Sequence, residues 1–344
     1  MNIKKTIVTK DIKKHTLNKS IIHTYTPIAG DVAVFEVLER GKHETVQSEN
    51  KRNVAIFEGD MIMAAFADRY ATSQFEGYIP EKPTEILDIL AGGGAVGIVK
   101  SKNWKLKDIE PTKIKLIGYC CDESGKVLNT KFFNKKKTEF NGHIPNNAKI
   151  ILSIGSTMDS GKTTTAAHIA RGLKMGGAKV AFMKFTGTCH TKDKDYVLDC
   201  GADIAIDFSD MGFPSTYMCD KKDLLDLYQS LLMLLEPEKP DYIVMEIADG
   251  LLERETNSLL RSKEFMNTIY SVIFSSGDSL SAYYGVELLA KWGIHVSFVS
   301  GMFTMSPLLI DEVRANLHTP VLTIDEMMTG KFNHLLENQA RKAA

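Results

Sequence analysis

The stretch that decides the fold is ILSIGSTMDSGKTTTAAHIARGLK, Ile151 to Lys174. An apolar run ends at Gly155 and a short polar turn follows. Gly161, Lys162 and Thr163 then open a run with helical spacing, which Gly176 and Gly177 stop. A phosphate chain needs several backbone N–H donors aimed inward and a cation beside them. A glycine-bearing turn between a strand and a helix supplies the donors, and the helix N-terminal dipole adds to the field. In that arrangement Lys162 reaches the outer phosphates and the Thr163 hydroxyl meets Mg²⁺. The cradle comprises Gly155, Ser156, Thr157, Met158, Asp159, Ser160, Gly161, Lys162, Thr163 and Thr164. Five residues separate Gly155 from Gly161, one more than the common form of the loop.

Downstream, apolar strands alternate with helical patterns. AKVAFMKF, ADIAIDF, DYIVMEIA, YSVIFSSG and IHVSFVS read as buried strands, and PVLTI as a short last one. KKDLLDLYQSLLMLLEPEKP, stopping at Pro237, SLSAYYGVELLAKWG and SPLLIDEVRANL read as helices. That rhythm predicts a parallel sheet with helices on both faces. Upstream the style differs. GDVAVFEVLERG and RNVAIFEGDMIMAAFADRY are β-branched runs broken by Gly-Asp turns, the pattern of a small, mostly antiparallel β unit. KKKTEFNGHIPNNAK reads as a linker. The expected architecture is a P-loop α/β domain over residues 146–344 behind a smaller, mostly-β N-terminal domain over residues 1–145. The string GGGAVG, Gly92 to Gly97, has dinucleotide-loop spacing. The helix and the acidic residue that such a loop requires do not follow it, so it reads as a glycine turn.

Bulk properties exclude several classes. The chain has 344 residues, 44 % hydrophobic and 25 % charged, with a formal net charge of -1. No global field favours nucleic acid or acidic membrane, and no apolar run reaches transmembrane length. The lysine-rich start has no apolar core of a signal peptide. Cys120, Cys121, Cys189, Cys200 and Cys219 form no disulfide framework and match no zinc spacing. A cytoplasmic protein with reduced thiols is the expectation.

The string GSTMDSGKTT resembles the loop of dethiobiotin synthetase, roughly G-T-D-T-x-x-G-K-T. Gly155, Ser156, Gly161, Lys162 and Thr163 fall on the pattern. The resemblance extends to Lys184 in AKVAFMKFTGT, at the place of the family's second-strand lysine. It also takes in Glu246, Asp249 and Gly250 in DYIVMEIADGLLE, and covers about residues 148–325. Phe185 and Thr186 replace the family's Pro-Val, and the β domain has no counterpart. The resemblance implies ATP and Mg²⁺ as cofactors. It implies Lys162 and Lys184 as catalytic cations, and Thr163, Glu246 and an aspartate after Lys184 as metal ligands. Asp199 lies at about the expected distance, with Asp195 and Asp193 as rivals.

The resemblance implies an enzyme that activates a small carboxylate or carbamate by γ-phosphoryl transfer for ligation. Two other functions fit the loop: an amino-acid N-acyltransferase holding the phosphates of an acyl-CoA, and a nucleotide-gated binding or chaperone protein. No N-K-x-D-like base-reading motif follows a late strand, which favours ATP over GTP. A small-molecule substrate and a homodimer are the expected partners. Arg69, Tyr70, Gln74 and Glu76 suggest a binding surface of the β domain that faces the P-loop domain, with a structural loop or dimer contact as the alternative; Ser215 and Thr216 mark a turn that could line a substrate pocket, and His168 a packed helix residue.

Overall fold

The computed structural model describes residues 3–340. It divides into two compact units. One comprises Met1–Lys137 with Gly187–Thr191 and Phe208–Met218; the other comprises Thr138–Thr186, Lys192–Asp207 and Cys219–Ala344. The division differs from the boundary expected after residue 145, for a local reason. Residues 138–142 are stapled to the helix Lys221–Leu235 of the second unit. Thr138 N–H donates to Ser230 Oγ (2.9 Å), Phe140 N–H to Asp226 Oδ1 (3.0 Å) and Gly142 N–H to Gln229 Oε1 (3.1 Å). The polar composition read as a linker is a strap whose amides find side-chain acceptors on a helix.

In the first unit the strands Met61–Phe66, Val32–Glu39, Lys113–Cys121, Ile86–Ala91 and Ala95–Lys102 are neighbours in that order. The sheet closes on itself where Ala65 and Phe66 pair in parallel with Ala95 and Val96. Alternate residues point inward. Ala33, Phe35 and Val37 meet Ile62, Ala64 and Phe66, with Leu87, Ile89, Ile114 and Leu116, in one core. Gly92 to Gly94 make the turn of a hairpin between antiparallel strands, with Gly94 at φ 102°. That is the glycine-turn reading of GGGAVG.

The second unit is built on six parallel strands: β1 (Lys149–Gly155), β2 (Val180–Lys184), β3 (Ile204–Asp207), β4 (Tyr242–Glu246), β5 (Ser271–Ser275) and β6 (Phe298–Ser300). Their order is β3-β2-β4-β1-β5-β6, every pair parallel. The chain is α/β with a parallel sheet, accompanied by the mostly-β N-terminal unit. The run PVLTI adds one parallel bridge, Val321 to Val299, and not a strand. Thr323 at its end caps the helix Ile324–Met328 through a reciprocal bond with Glu326, so the chain turns helical at once.

Helix α1 (Lys162–Met175) lays Ala166, Ala167, Ile169, Ala170 and Leu173 on Ile151, Phe182, Val244 and Ile273. Ile150, Leu152 and Ile154 of β1 point to the other face and are fully buried too. Both faces of the sheet are therefore covered, which is why its central strands carry almost no polar residue. Further helices of this unit are α2 (Lys192–Asp199), which reaches the site, α3 (Lys221–Leu235) and α4 (Arg254–Leu260). No described helix is long and apolar enough to cross a membrane.

Candidate functional site

Parallel strands that end together bring their C-terminal residues to one edge, and ligands of open α/β sheets bind there. Strand register fixes what stands at this edge. Lys184 of β2 is level with Glu246 of β4 on one side and with Asp207 of β3 on the other. Gly155 closes β1, and residues 156–160 form the loop to α1. Gly161 is the N-cap at φ 96°, in the left-handed region. Lys162 is thereby the first helical residue, and Thr163 and Thr164 lie in the first turn.

The loop lysine and threonine are both engaged. Lys162 Nζ donates to the Thr157 carbonyl at 2.7 Å, closing the loop on itself. Burial pushes the Lys162 ammonium below its ordinary range, opposed by Glu246 and Asp249. Thr163 Oγ1 donates to Glu246 Oε1 at 3.1 Å. Lys184 Nζ lies 3.6 Å from that same oxygen and donates to Asp193 on α2. Burial works against the Lys184 charge, but Glu246 and Asp193 outweigh it and hold the ammonium above its usual range. Glu246 Oε2, in a residue only 2 % exposed, is buried with no hydrogen-bond partner.

The acid brought to Lys184 is Asp193, not Asp199. Asp193 opens α2 and Asp199 closes it, about 9 Å further along the axis at 1.5 Å per residue. Beside Asp193 on α2, Lys194 makes a buried ion pair with Asp207 at 3.0 Å. Asp207 and Lys194 were not singled out from the sequence. Asp207 carried the same signal as Glu246, an acid at the end of a buried strand.

The remaining candidates take other places. His168 Nδ1 lies 2.7 Å from the Thr164 carbonyl one turn back and its ring meets Tyr196, a packed helix position. In the β unit, Arg69 (2.8 Å) and Lys42 (2.5 Å) both donate to Gln74 Oε1. Tyr78 OH donates to Glu76 (2.7 Å), and the rings of Tyr70 and Tyr217 stand 5.4 Å apart. Ser215 and Thr216 serve the turn itself: Ser215 Oγ accepts from Tyr217 N–H and Thr216 Oγ1 from Gly187 N–H. None of the five cysteines is in a disulfide.

The donor set fits Mg²⁺. A hydroxyl and a carboxylate are hard oxygen ligands, and Mg²⁺ is typically held by one or two carboxylates plus phosphate oxygens and water. The orphaned Glu246 oxygen is the observation that supports the fit, since a buried carboxylate oxygen without a partner is costly.

The sequence matches no protein-family model and no curated protein sequence. Solved structures that resemble part of the chain include the hydrogenase maturation factor HypB from Archaeoglobus fulgidus, 10 % identical over 55 % of this chain and 91 % of that one, at a TM-score of 0.36. The signal recognition particle receptor FtsY from Elizabethkingia anophelis is 15 % identical over 55 % and 65 %, at 0.35. A DUF1611 family protein from Anabaena variabilis is 11 % identical over 63 % and 66 %, at 0.40. The fold stands on the strand order and the loop geometry described above.

Proposed function

We propose that the chain is an ATP- and Mg²⁺-dependent enzyme of dethiobiotin-synthetase type, which activates a small carboxylate or carbamate by phosphoryl transfer so that a nucleophile can be joined to it. The observation that carries this reading is the contact of Thr163 Oγ1 with Glu246 Oε1, with Lys184 Nζ near the same oxygen. It joins the phosphate loop to a strand-end acid and a second buried cation.

Each group has a role in that chemistry. The amides of residues 156–163 and the Lys162 ammonium bind phosphate oxygens. Thr163 and Glu246 would hold Mg²⁺, which neutralises charge on the outer phosphates. Lys184 stands where a carboxylate or a transferring phosphoryl group gathers negative charge, and its raised proton affinity keeps it charged there. The acceptor carboxylate oxygen forms a bond to the γ-phosphorus while the bond to the ADP oxygen breaks. The nucleophile then attacks the activated carbon and inorganic phosphate leaves.

The test is ADP release from ATP with Mg²⁺, against pooled amines, amino acids and carboxylates, with and without bicarbonate. Release that needs one pool and is lost in Lys162→Ala is the expected result. No stimulated release, together with coenzyme A binding that needs no Mg²⁺, overturns this reading in favour of acyl transfer. Slow hydrolysis that no small molecule stimulates favours a nucleotide-gated binding protein.

A further inference from the structure

We infer that Gly250 and Gly301, two glycines outside the phosphate loop, are positioning residues that set its lengthened shape from either side. The lengthened loop has one residue to accommodate, and Asp159 within it adopts φ 63°, a left-handed conformation that non-glycine residues disfavour. Aspartate tolerates that conformation better than most residues, and the flanking chain fixes the loop around it. Besides the Lys162 ammonium on the Thr157 carbonyl, backbone flanks the loop at Ser156 and at Ser160.

On the β6 side, Met302 N–H donates to Ser160 O at 3.1 Å. A Cβ placed on Gly301 would lie 2.5 Å from Ser160 O and 2.6 Å from Ser276 N. Gly301 also holds φ 113°. On the β4 side, a Cβ placed on Gly250 would overlap the Ser156 carbonyl oxygen and lie 3.1 Å from Thr157 Cα. Ser156 N–H is itself tied to Ser275 O at 2.9 Å. None of these neighbours is a side chain that could swing aside.

The consequence follows from peptide planarity. A carbonyl oxygen and the next residue's N–H are fixed to one plane. Pressing on Ser156 O therefore turns the Thr157 N–H, and pressing on Ser160 O turns the Gly161 N–H. Both belong to the amides that would meet phosphate oxygens. The two glycines admit close approach, and that approach aims the donors.

Three alanine substitutions in the full chain separate this from general damage. Gly250→Ala adds a clash without backbone strain, since its φ is not positive. Gly301→Ala adds both. Gly293→Ala is the control: φ 76°, with nothing within 4 Å of the added carbon, so it adds strain alone. The readouts are hydrogen exchange of the loop amides 155–161 and affinity for pyrophosphate and for ATP with Mg²⁺. Gly250→Ala and Gly301→Ala are expected to speed loop exchange and weaken both ligands by about tenfold or more. Gly293→Ala is expected to lower Tm and leave both readouts alone. Wild-type exchange in both loop-facing variants, faster exchange with unchanged affinity, or equal effects of Gly293→Ala would each overturn the inference. Its affinity readout rests on the phosphate-binding reading. Wild-type protein that binds neither ligand sinks that reading, while the exchange measurement still decides whether the glycines set the loop.

Discussion

At the residue scale the site is a set of buried charges that neutralise one another, and this makes its members individually costly to remove. Lys184 has a side chain 13 % exposed and faces Glu246, 2 % exposed, and Asp193. Lys184→Met leaves two carboxylates confronting each other and is expected to destabilise the protein by about 3–5 kcal/mol, the cost of breaking one side of a buried pair. The double variant Lys184→Met with Glu246→Gln removes much of the repulsion. Urea unfolding of the four proteins in the cycle should show it losing less than the sum of the single changes. A second residue carries a pH signature. Burial pushes the Glu255 carboxyl up to about 8, and its hydrogen bond to Glu253 acts in the same direction. The folded chain thus holds this proton more tightly than the unfolded chain, whose value is 4.5. The stabilising contribution is fully present below that value and is lost as pH rises through about 8. The Tm of wild-type protein should fall relative to Glu255→Gln between those limits. A difference that stays flat with pH would show that Glu255 does not hold its proton more tightly in the folded chain.

At the element scale, helix α1 shows how packing overrides propensity. Gly172 sits inside it, where alanine would ordinarily gain about 1 kcal/mol of helix stability. A Cβ there would overlap the carbonyl oxygen of Met327 and lie 2.8 Å from the Phe332 ring. Overpacking costs about 1–3 kcal/mol, and a backbone carbonyl cannot rotate away. Set against that helix gain, Gly172→Ala is expected to lower stability by up to about 2 kcal/mol, read as a fall in Tm of roughly 2–4 °C for each kcal/mol. Gly277→Ala, with nothing within 4 Å, should stay within about 0.5 kcal/mol of wild type. The strands of this unit were legible because each is a short apolar run bounded by polar turns, and the sheet's burial on both faces produces that pattern. The phase of α2 was not legible. Eight residues hold little more than two turns, and which acid in KDKDYVLD faces Lys184 depends on where the helix starts. Thr191 and the acids Asp193 and Asp195 mark that start locally, but that Lys194 turns to Asp207 and Asp193 to Lys184 is visible only in the folded chain.

At the scale of the whole molecule, the two styles of sequence were legible but the cut between them was not. Two segments that follow strands of the P-loop unit belong to the β unit, and their partners lie far away in the chain. Thr191 N–H donates to Gln47 Oε1 at 3.0 Å, and Gln47 Nε2 donates back to Thr191 Oγ1 at 2.8 Å. Lys10 pairs with Asp210 at 2.8 Å, Phe132 N–H donates to Met211 O, and the Phe213 ring packs edge-on against Phe132. Contacts across such separations leave no periodic trace; locally these segments read only as turns. A fragment of residues 1–145 therefore lacks part of its own unit. It loses the fully buried Phe213, and emptying a buried Phe site costs about 3–5 kcal/mol. It also loses the two hydrogen bonds between the Gln47 amide and Thr191, at about 0.5–1.5 kcal/mol each. Against a total stability of about 5–15 kcal/mol for an ordinary domain, these two losses alone consume a large share. The fragment is expected to show poorly dispersed amide resonances and no cooperative melt under conditions where the full chain melts cooperatively. A fragment with dispersed resonances and a sharp transition would show instead that the β ring is self-sufficient and that the returning segments only decorate it.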